Sequence, residues 1–383
     1  MKKLFLLLSV ALLLCACNHN DEPTVTNRTV LVYMVADNSL SANVQANLDS
    51  MMYGYKAAAN VGNLLIYLDN ANATPVLYKL SKDKNGSVTK DIVKNYSEQN
   101  SLDVSVMKGI LSDVYASYPA ESYGLVLWSH GYSWVPSPSN TVTTKWFGQD
   151  NSTTTNGDSN NYMDIPDLAD ALSAAPHLDF IMFDACFMSS AEVAYELKDK
   201  TDYLIASPTE VIDLGFPYRQ IIAPMFSSDK NYTQIASDYY NYYNSMSGEY
   251  KSATIAVTKC SELDNLAAAT KKIIAAHASE VYSFVPGSLQ LYDRESYSNH
   301  FAYDLGNFIQ DVATTDEWTT YQKQLDATVI YKNATSYFIN LKIDSDHYSG
   351  LAVYVPKASQ TTYLNFFKTL SWYNAAGWNQ TAW

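Results

Sequence analysis

Basic residues are scarce in this chain of 383 residues. It has 25 lysines and arginines against 39 aspartates and glutamates, which gives a formal net charge of −14 and a pI near 4.8. Proteins that bind nucleic acid need a basic surface to neutralise the phosphates. The charge balance therefore argues against a nucleic-acid partner, and the dispersed acidic residues indicate a soluble surface.

The apolar run nearest the start, Leu4–Leu14, is too short to span a membrane. It follows a basic start and leads to the small Ala16 and to Cys17, a pattern that resembles the processing box of a bacterial lipoprotein. We therefore predict a lipoprotein signal peptide over residues 1–17, a lipid on Cys17, and a polar tether over residues 18–27. The chain is then expected in the bacterial cell envelope, anchored to the outer membrane or the cell surface. Ordinary secretion after cleavage at Ala16 is the alternative.

Cysteine is also scarce. The chain has four cysteines, and two of them, Cys15 and Cys17, lie in the predicted leader. Cys186 and Cys260 remain in the folded part. Their number alone would allow one disulfide, but structural disulfides need matched geometry, and the sequence around Cys186 favours a free thiol.

Signatures of bound cofactors and of serine hydrolases are missing from the sequence. No Gly-rich phosphate loop and no Gly-x-Ser-x-Gly elbow occurs. Four histidines have no cysteine, histidine or acid at a spacing typical of zinc ligands: His177, His277, His300 and His347. The sequence therefore predicts that no cofactor is required.

Apolar runs and helical stretches alternate through the first two thirds of the chain. This alternation is typical of a mostly parallel sheet with helices on both faces. We predict a core over residues 28–250 and a mixed α/β C-terminal part over residues 251–383 that packs on it. The predicted core strands are Val30–Val35, Leu64–Leu68, Leu125–Trp128, Phe180–Phe183 and Tyr203–Ala206. The predicted core helices are Ser39–Ala59, Leu102–Tyr118, Asp164–Ala174 and Ser189–Lys198. In the C-terminal part, strands are predicted at Thr254–Val257, Tyr337–Ile343 and Leu351–Val355, and helices near Ser261–Ser279 and Tyr303–Val312.

A histidine and a cysteine each follow one of these buried strands. His130 comes after the run that ends at Trp128, and Cys186 comes after the run Leu178–Asp184. Open α/β sheets build their sites at the carboxyl ends of the strands, so the two side chains are expected to meet at one sheet edge. A thiol paired with an imidazole is the basic equipment of nucleophilic catalysis.

The residues beside this pair favour the same chemistry. A thiolate needs a neighbour or a helix N-terminus that stabilises it, and the segment after Cys186 is predicted to enter a helix capped by Ser189 or Ser190. His130 would then act as general acid and base. Gly131 has no Cβ, so its N–H can approach a substrate carbonyl and form an oxyanion hole together with the N–H of Cys186.

At these residues the chain resembles the clostripain family of cysteine peptidases, in the same clan as caspases, legumains and gingipains. The resemblance extends from Arg28 to Pro356. The segments that carry it are an opening strand with an Asp-Asn turn, the histidine block, the cysteine block, the loop after the cysteine and a late strand: Val30–Leu40, Leu125–Gly131, Phe183–Met188, Ala206–Tyr218 and Ser349–Pro356.

The resemblance implies a caspase-like α/β sandwich and endopeptidase activity on peptides or proteins, often after Arg or Lys. Asp184 matches the family aspartate two residues before the nucleophile, which is thought to bind the basic side chain of the substrate. A carboxylate at the base of a pocket pairs well with a guanidinium. Asp213 and Glu210 lie in the following loop and are further candidates for the pocket. A loop or helix cap is the alternative role for Asp184.

Family members can be activated by cleavage of the loop between the histidine and the cysteine after a basic residue. Lys145 is the lysine in this loop, which makes it the candidate site of self-cleavage. A structural lysine is the alternative. Some relatives depend on calcium, and this loop region carries three aspartates without EF-hand spacing, so calcium is an optional ligand here: Asp150, Asp158 and Asp164.

The sequence thus predicts a membrane-anchored, extracytoplasmic cysteine endopeptidase that uses Cys186 and His130. Two alternatives stay open. One is a surface lipoprotein that keeps the fold without turnover and binds peptides or glycans. The other is a peptidase of the same clan that cuts after Asn, Asp or a small residue.

Overall fold

The computed structural model describes residues 26–59, 61–136, 146–152, 161–296 and 298–383. Four predicted features lie outside these residues. They are the signal peptide with its lipidation residue Cys17, the tether up to residue 25, the self-cleavage residue Lys145, and Asp158.

The described residues form fifteen strands and twelve α-helices, joined by short 3-10 turns. The strands are β1 (Thr26–Ala36), β2 (Asn63–Asn70), β3 (Ala73–Lys82), β4 (Val88–Asn95), β5 (Ala120–Trp128), β6 (Phe147–Asp150), β7 (Asn161–Met163), β8 (Leu178–Asp184), β9 (Thr201–Ala206), β10 (Thr254–Lys259), β11 (Tyr303–Asp304), β12 (Val329–Ala334), β13 (Tyr337–Phe338), β14 (Leu341–Lys342) and β15 (Ala352–Val353). The helices are α1 (Val44–Ala57), α2 (Val104–Ser117), α3 (Ile165–Ala171), α4 (Ala191–Leu197), α5 (Tyr218–Met225), α6 (Thr233–Asn244), α7 (Leu263–Ala276), α8 (Ala278–Tyr282), α9 (Leu305–Val312), α10 (Thr315–Thr328), α11 (Thr361–Phe367) and α12 (Ser371–Ala375).

Nine of these strands form one sheet in the order β12-β10-β9-β8-β5-β1-β2-β3-β4. The five central strands, from β9 to β2, run parallel to one another. The outer strands β3, β4, β10 and β12 are antiparallel to their neighbours. The predicted mostly parallel sheet is therefore confirmed.

Each face of the sheet carries its own apolar core, and β1 shows how one sequence supplies both. Successive side chains of a strand point to opposite faces. Leu31, Tyr33 and Val35 pack into the core on one face, while Val30 and Val32 pack into the core on the other. A strand buried on both sides carries a mostly continuous apolar run, because an unpaired polar side chain is costly to bury on either face. This double burial makes the molecule a sandwich of helices around a sheet.

The five predicted core strands are confirmed, and each is longer in the structure than predicted. The predicted helices are also present with different ends. The first is shorter than predicted, because a 3-10 turn at Ser41–Asn43 precedes α1. The third has Asp164 at its N-cap position and Pro166 in its first turn, although the Asp164 side chain makes no capping hydrogen bond.

One local prediction is wrong, and one hairpin was not predicted. Residues 337–343 do not form one strand, because the chain turns back at Ile339, which has a φ of 53°, and makes the hairpin of β13 and β14. The sequence also gave no indication of the hairpin of β3 and β4. Most residues of β4 are exposed, so the strand lacks the apolar run that marks the buried strands.

The C-terminal part contributes to the main sheet and does not only pack on it. Strand β10 pairs with β9 and with β12, which places residues from beyond the predicted boundary at position 250 in the same nine-stranded sheet. Of the helices among the described residues, none combines the length and the apolar character needed to cross a membrane.

Candidate active site

The sheet register brings the predicted histidine and cysteine to the same edge. Strands β5 and β8 are parallel neighbours, and their last residues, Trp128 and Asp184, are paired in register. His130 and Cys186 each lie two positions beyond that pair. Both line one cleft of about 450 Å³, together with Asp184, Glu210 and Asp213 among others. The sequence therefore predicted correctly that these side chains share one place in the fold.

Gly131 lies against the backbone of the cysteine. A Cβ on Gly131 would be 2.6 Å from the carbonyl oxygen of Cys186 and 3.1 Å from its nitrogen, so a larger residue would force the two segments apart. Gly131 pairs with Phe147 in an isolated antiparallel β-bridge. The hydrogen bonds of this bridge are made by the backbone groups of the residues before and after Gly131. Its own N–H is not used in that bridge, as an oxyanion donor requires.

Cys186 is half-buried, and Cys260 is buried, and neither forms a disulfide. The N–H of Val211 points at the sulfur of Cys186, with the nitrogen 3.3 Å from Sγ. A donor aimed at a sulfur stabilises the thiolate relative to the thiol. The predicted helix begins later, at α4, where the Ser190 hydroxyl accepts the N–H of Val193 as its cap. The donor to the sulfur is therefore a backbone group from the segment after β9.

His130 contacts a residue that the sequence did not single out. The Oγ of Ser39 lies 2.8 Å from Nε2 of the His130 ring. Ser39 is held in place by Asn38, whose amide donates to the carbonyl of Val35 at 3.0 Å and to that of Gln149 at 2.7 Å. The Asp-Asn turn after β1 thus acts as a support for the histidine.

Asp184 lies at the base of the cleft and is only 5% exposed. Its Oδ2 accepts hydrogen bonds from the N–H of Phe216 at 3.1 Å and from the hydroxyl of Tyr218 at 2.8 Å. Burial raises the pKa of the Asp184 carboxyl to about 6, and the two hydrogen bonds oppose that rise. Both bonds fall on the same oxygen, which leaves Oδ1 available to a cationic group.

An amide oxygen beside Asp184 has no hydrogen-bond donor. Asn47 is 3% exposed, and its Oδ1 is buried without a partner. A Cβ placed on Gly215 would lie 3.0 Å from this Asn47 oxygen and 3.0 Å from Oδ2 of Asp184. Gly215 has a φ of +71°, so a glycine suits both its backbone and the space around it. The unpartnered oxygen of Asn47 thus lies close to the carboxylate of Asp184, on either side of Gly215.

The other two predicted pocket acids differ from Asp184. Glu210 is paired with Arg294, whose Nε lies 2.9 Å from Glu210 Oε1, so its charge is already balanced within the protein. Asp213 is exposed at the mouth of the cleft, and its backbone carbonyl accepts the side-chain amide of Asn43. Asp184 is therefore the acid best placed to bind a cation deep in the cleft.

Calcium binding in the loop region of Asp150, Asp158 and Asp164 stays a prediction, because Asp158 lies outside the described residues. Asp150 is buried and uses its two oxygens to accept the N–H groups of Ser101, at 2.7 Å, and of Ser152, at 2.8 Å. In the part of the chain that the structure covers, no three acids, histidines or cysteines are grouped as metal ligands. Each carboxylate oxygen of Asp150 thus already has a hydrogen-bond partner within the protein.

A mostly parallel sheet with helices on both faces, carrying a histidine and a cysteine just beyond adjacent strand ends, is the architecture of the caspase-like α/β sandwich. The comparison with known proteins places the chain within one family of that class. The sequence profile of the clostripain family matches residues 32–383, and the chain belongs to this family.

Two solved structures of related sequence align with nearly the whole chain. A secreted C11 cysteine protease from Bacteroides thetaiotaomicron, in complex with an irreversible peptide inhibitor, is 34% identical with a TM-score of 0.80 and covers 93% of this chain and 100% of its own. An inactive zymogen C11 protease from Parabacteroides distasonis is 35% identical with a TM-score of 0.80 and covers 92% of this chain and 99% of its own.

The clostripain of Hathewaya histolytica is a more distant relative. It is 26% identical over 228 residues, which correspond to 53% of this chain and 42% of that protein. This chain thus matches less than half the length of that clostripain.

Proposed function

We propose that this chain is a cysteine endopeptidase with Cys186 as nucleophile and His130 as general acid and base. The observation that carries the proposal is the placement of both side chains in one cleft, just beyond two paired strand ends. Membership of the clostripain family and the description of two related structures as C11 cysteine proteases support it.

In the first half of the proposed reaction, the Cys186 thiolate adds to the carbonyl carbon of the scissile peptide. The N–H groups of Gly131 and Cys186 bind the oxyanion that forms. The C–N bond then breaks, and protonated His130 gives its proton to the departing amine. The C-terminal fragment of the substrate leaves with the new amino group. The N-terminal fragment stays on the sulfur as a thioester.

In the second half, neutral His130 removes a proton from a water molecule, which attacks the thioester carbon. The C–S bond breaks, the product leaves as a carboxylic acid, and Cys186 returns to the thiolate. Ser39 is the group that would hold the imidazole ring in place during both proton transfers, because its hydroxyl lies 2.8 Å from Nε2.

We further propose that the enzyme cleaves after Arg or Lys, with Asp184 binding the basic side chain. The argument is the buried carboxylate with one oxygen left over, next to the unpartnered amide oxygen of Asn47. A guanidinium or ammonium group that enters the cleft would supply the donors that both oxygens lack. The exposed Asp213 would add to the negative potential at the mouth.

A peptide mixture with every residue type at the cleavage position tests both proposals. The wild-type full chain is expected to cut after Arg and Lys under reducing conditions, and the Cys186→Ala and His130→Ala variants are expected to leave the mixture intact. Absence of cysteine-dependent cleavage would leave a peptide-binding lipoprotein as the explanation. Cleavage after Asn, Asp or small residues only would remove the proposed role of Asp184.

We also propose that the protein is anchored to the cell envelope through a lipid on Cys17 and that no cofactor is needed for turnover. The motif around Cys17 supports the anchor, and the cysteine-histidine chemistry above needs only water as a second reactant. A Cys17→Ser variant is expected to leave the membrane fraction of the producing cell. Equal recovery of this variant and of wild type with membranes would contradict lipidation of Cys17.

A further inference from the structure

Three consecutive residues of the C-terminal part connect the two sides of the cleft: Asp293, Arg294 and Glu295, here called the strap. Arg294 lines the cleft, and its Nε and one terminal nitrogen each lie 2.9 Å from Oε1 of Glu210. Glu295 accepts a hydrogen bond from the hydroxyl of Tyr132. The strap therefore holds one residue from each side of the dyad.

Asp293 fixes the shape of the strap. It is fully buried, and its Oδ2 accepts the N–H groups of Phe301, at 3.0 Å, and of Ala302, at 2.9 Å. Its Oδ1 lies 2.6 Å from Nδ1 of His300. A carboxylate that ties the two ends of a short loop together leaves its neighbour Arg294 little freedom to move. The arginine is therefore presented to the cleft in a defined position.

On the nucleophile side of the cleft, the strap contacts Glu210. This residue directly precedes Val211, whose N–H lies 3.3 Å from the sulfur of Cys186. The Glu210 and Arg294 side chains are 22% and 35% exposed, so their ion pair is partly shielded from water. Such a pair is stronger than one on the open surface, and two N–H donors on one carboxylate oxygen restrict its orientation.

On the histidine side of the cleft, the strap contacts Tyr132, which follows Gly131 in the chain. The Tyr132 ring packs edge-on against Phe187, the residue after the nucleophile, with centroids 5.1 Å apart. It also packs against Phe301, in the loop held by Asp293, with centroids 4.4 Å apart. A displacement of the strap would therefore reach both catalytic segments.

We propose that the strap is a positioning element for the dyad: Arg294 holds the Val211 peptide against the sulfur through Glu210, and Glu295 holds the segment of His130 and Gly131 through Tyr132. Arg294 and Glu295 are positioning residues, since they act through other groups. This inference rests on the proposed function, because it assumes that Cys186 and His130 react together.

The Arg294→Ala variant of the full chain tests the strap in two ways. The turnover number for an arginine peptide is expected to fall at least about 10-fold with little change in KM, because misplacement by a fraction of an ångström slows the chemical step. The second readout is the rate at which iodoacetamide alkylates Cys186, after subtraction of the Cys186→Ala blank. In Arg294→Ala this rate is expected to reach half its maximum at a higher pH than in wild type. Loss of the aligned Val211 N–H makes the thiolate less stable.

Two further variants separate positioning from a general loss of structure. Lys108→Ala removes an ion pair with Asp170 that lies 2.7 Å apart outside the cleft, and Lys108 has the same 35% exposure as Arg294. It is expected to match wild type in both assays. The charge-swapped double variant Glu210→Arg with Arg294→Glu is expected to recover activity relative to either single change, because the ion pair is restored with its sign reversed.

The proposal is overturned if Arg294→Ala keeps the wild-type turnover number and alkylation profile. It is also overturned if only KM rises, since Arg294 would then bind substrate and not position the dyad. Alkylation does not require catalysis, so an alkylation shift without any peptide cleavage by wild type would contradict the proposed function and support only the contact by which the strap holds the Val211 N–H against the sulfur.

Discussion

At the scale of single residues, the orientation of His130 depends on a hydroxyl. We expect the Ser39→Ala variant to lose roughly five-fold in turnover number, because one hydrogen bond that orients a ring contributes about 1 kcal/mol. Substrate binding should be unaffected, since Ser39 contacts the imidazole. The Ser39→Thr variant keeps the hydroxyl and should restore most of the rate. Steady-state kinetics on an arginine peptide decide this, and an unchanged turnover number in Ser39→Ala would show that the contact is not used.

The proposed role of Asp184 in substrate binding predicts a specific pH dependence. Burial raises the pKa of its carboxyl to about 6, so the group loses its charge as the pH falls through that value. The preference for a basic substrate should therefore be full at pH 8 and weaken below pH 6.

The ratio of kcat/KM between wild type and Asp184→Asn measures this effect, because the titration of the dyad is common to both proteins and cancels. We expect the ratio to be large at pH 8 and about ten-fold smaller at pH 5, where roughly a tenth of the carboxyl groups remain ionised. A ratio that is independent of pH would show that the charge of Asp184 is not what binds the substrate.

At the scale of elements, Arg28 stabilises the end of the sheet opposite the cleft. This buried residue of β1 pairs with Asp179 of β8 at 2.9 Å and donates to the carbonyl of Met225 at 2.7 Å. Replacement by methionine keeps the apolar stem but leaves Asp179 and the carbonyl without this partner. We expect Arg28→Met to lower the free energy of unfolding by about 3 kcal/mol. Urea unfolding measures this loss, and a change below 1 kcal/mol would contradict it.

The elements also show how far the sequence could predict the structure. The five parallel strands could be predicted, since strands buried on both faces carry continuous apolar runs. The hairpin of β3 and β4 could not, because β4 is mostly exposed, β3 is only partly buried, and neither has a continuous apolar run. The strand-end positions of His130 and Cys186 were predicted for the same reason as the strands themselves.

The supporting groups of the site were not predictable, because they act through features that residue type does not reveal. Val211 contributes a backbone N–H, which any residue has. Ser39 and Asn47 are common polar residues whose roles depend on where the turn after β1 and helix α1 place them. Arg294 lies far along the chain from the dyad, and only the tertiary fold brings it to the cleft.

At the scale of the whole molecule, we expect the chain to be matured by its own activity. A related structure is described as an inactive zymogen, which is consistent with a precursor in this family. Lys145 lies between the two catalytic residues in the chain, so the wild-type protein should separate into two fragments on a denaturing gel. Both Lys145→Ala and Cys186→Ala should remain intact. Splitting of Lys145→Ala at the same place would show that another residue is the site.

In the proposed mechanism, Cys186 attacks the substrate and carries an acyl group during turnover. Rapid quenching of the enzyme with an ester of an arginine peptide, followed by intact-mass measurement and peptide mapping, detects this intermediate. We predict a transient mass increase equal to the acyl portion of the substrate, located on Cys186 and absent from Cys186→Ala. Substrate cleavage without any adduct at Cys186, or an adduct on another residue, would contradict the account.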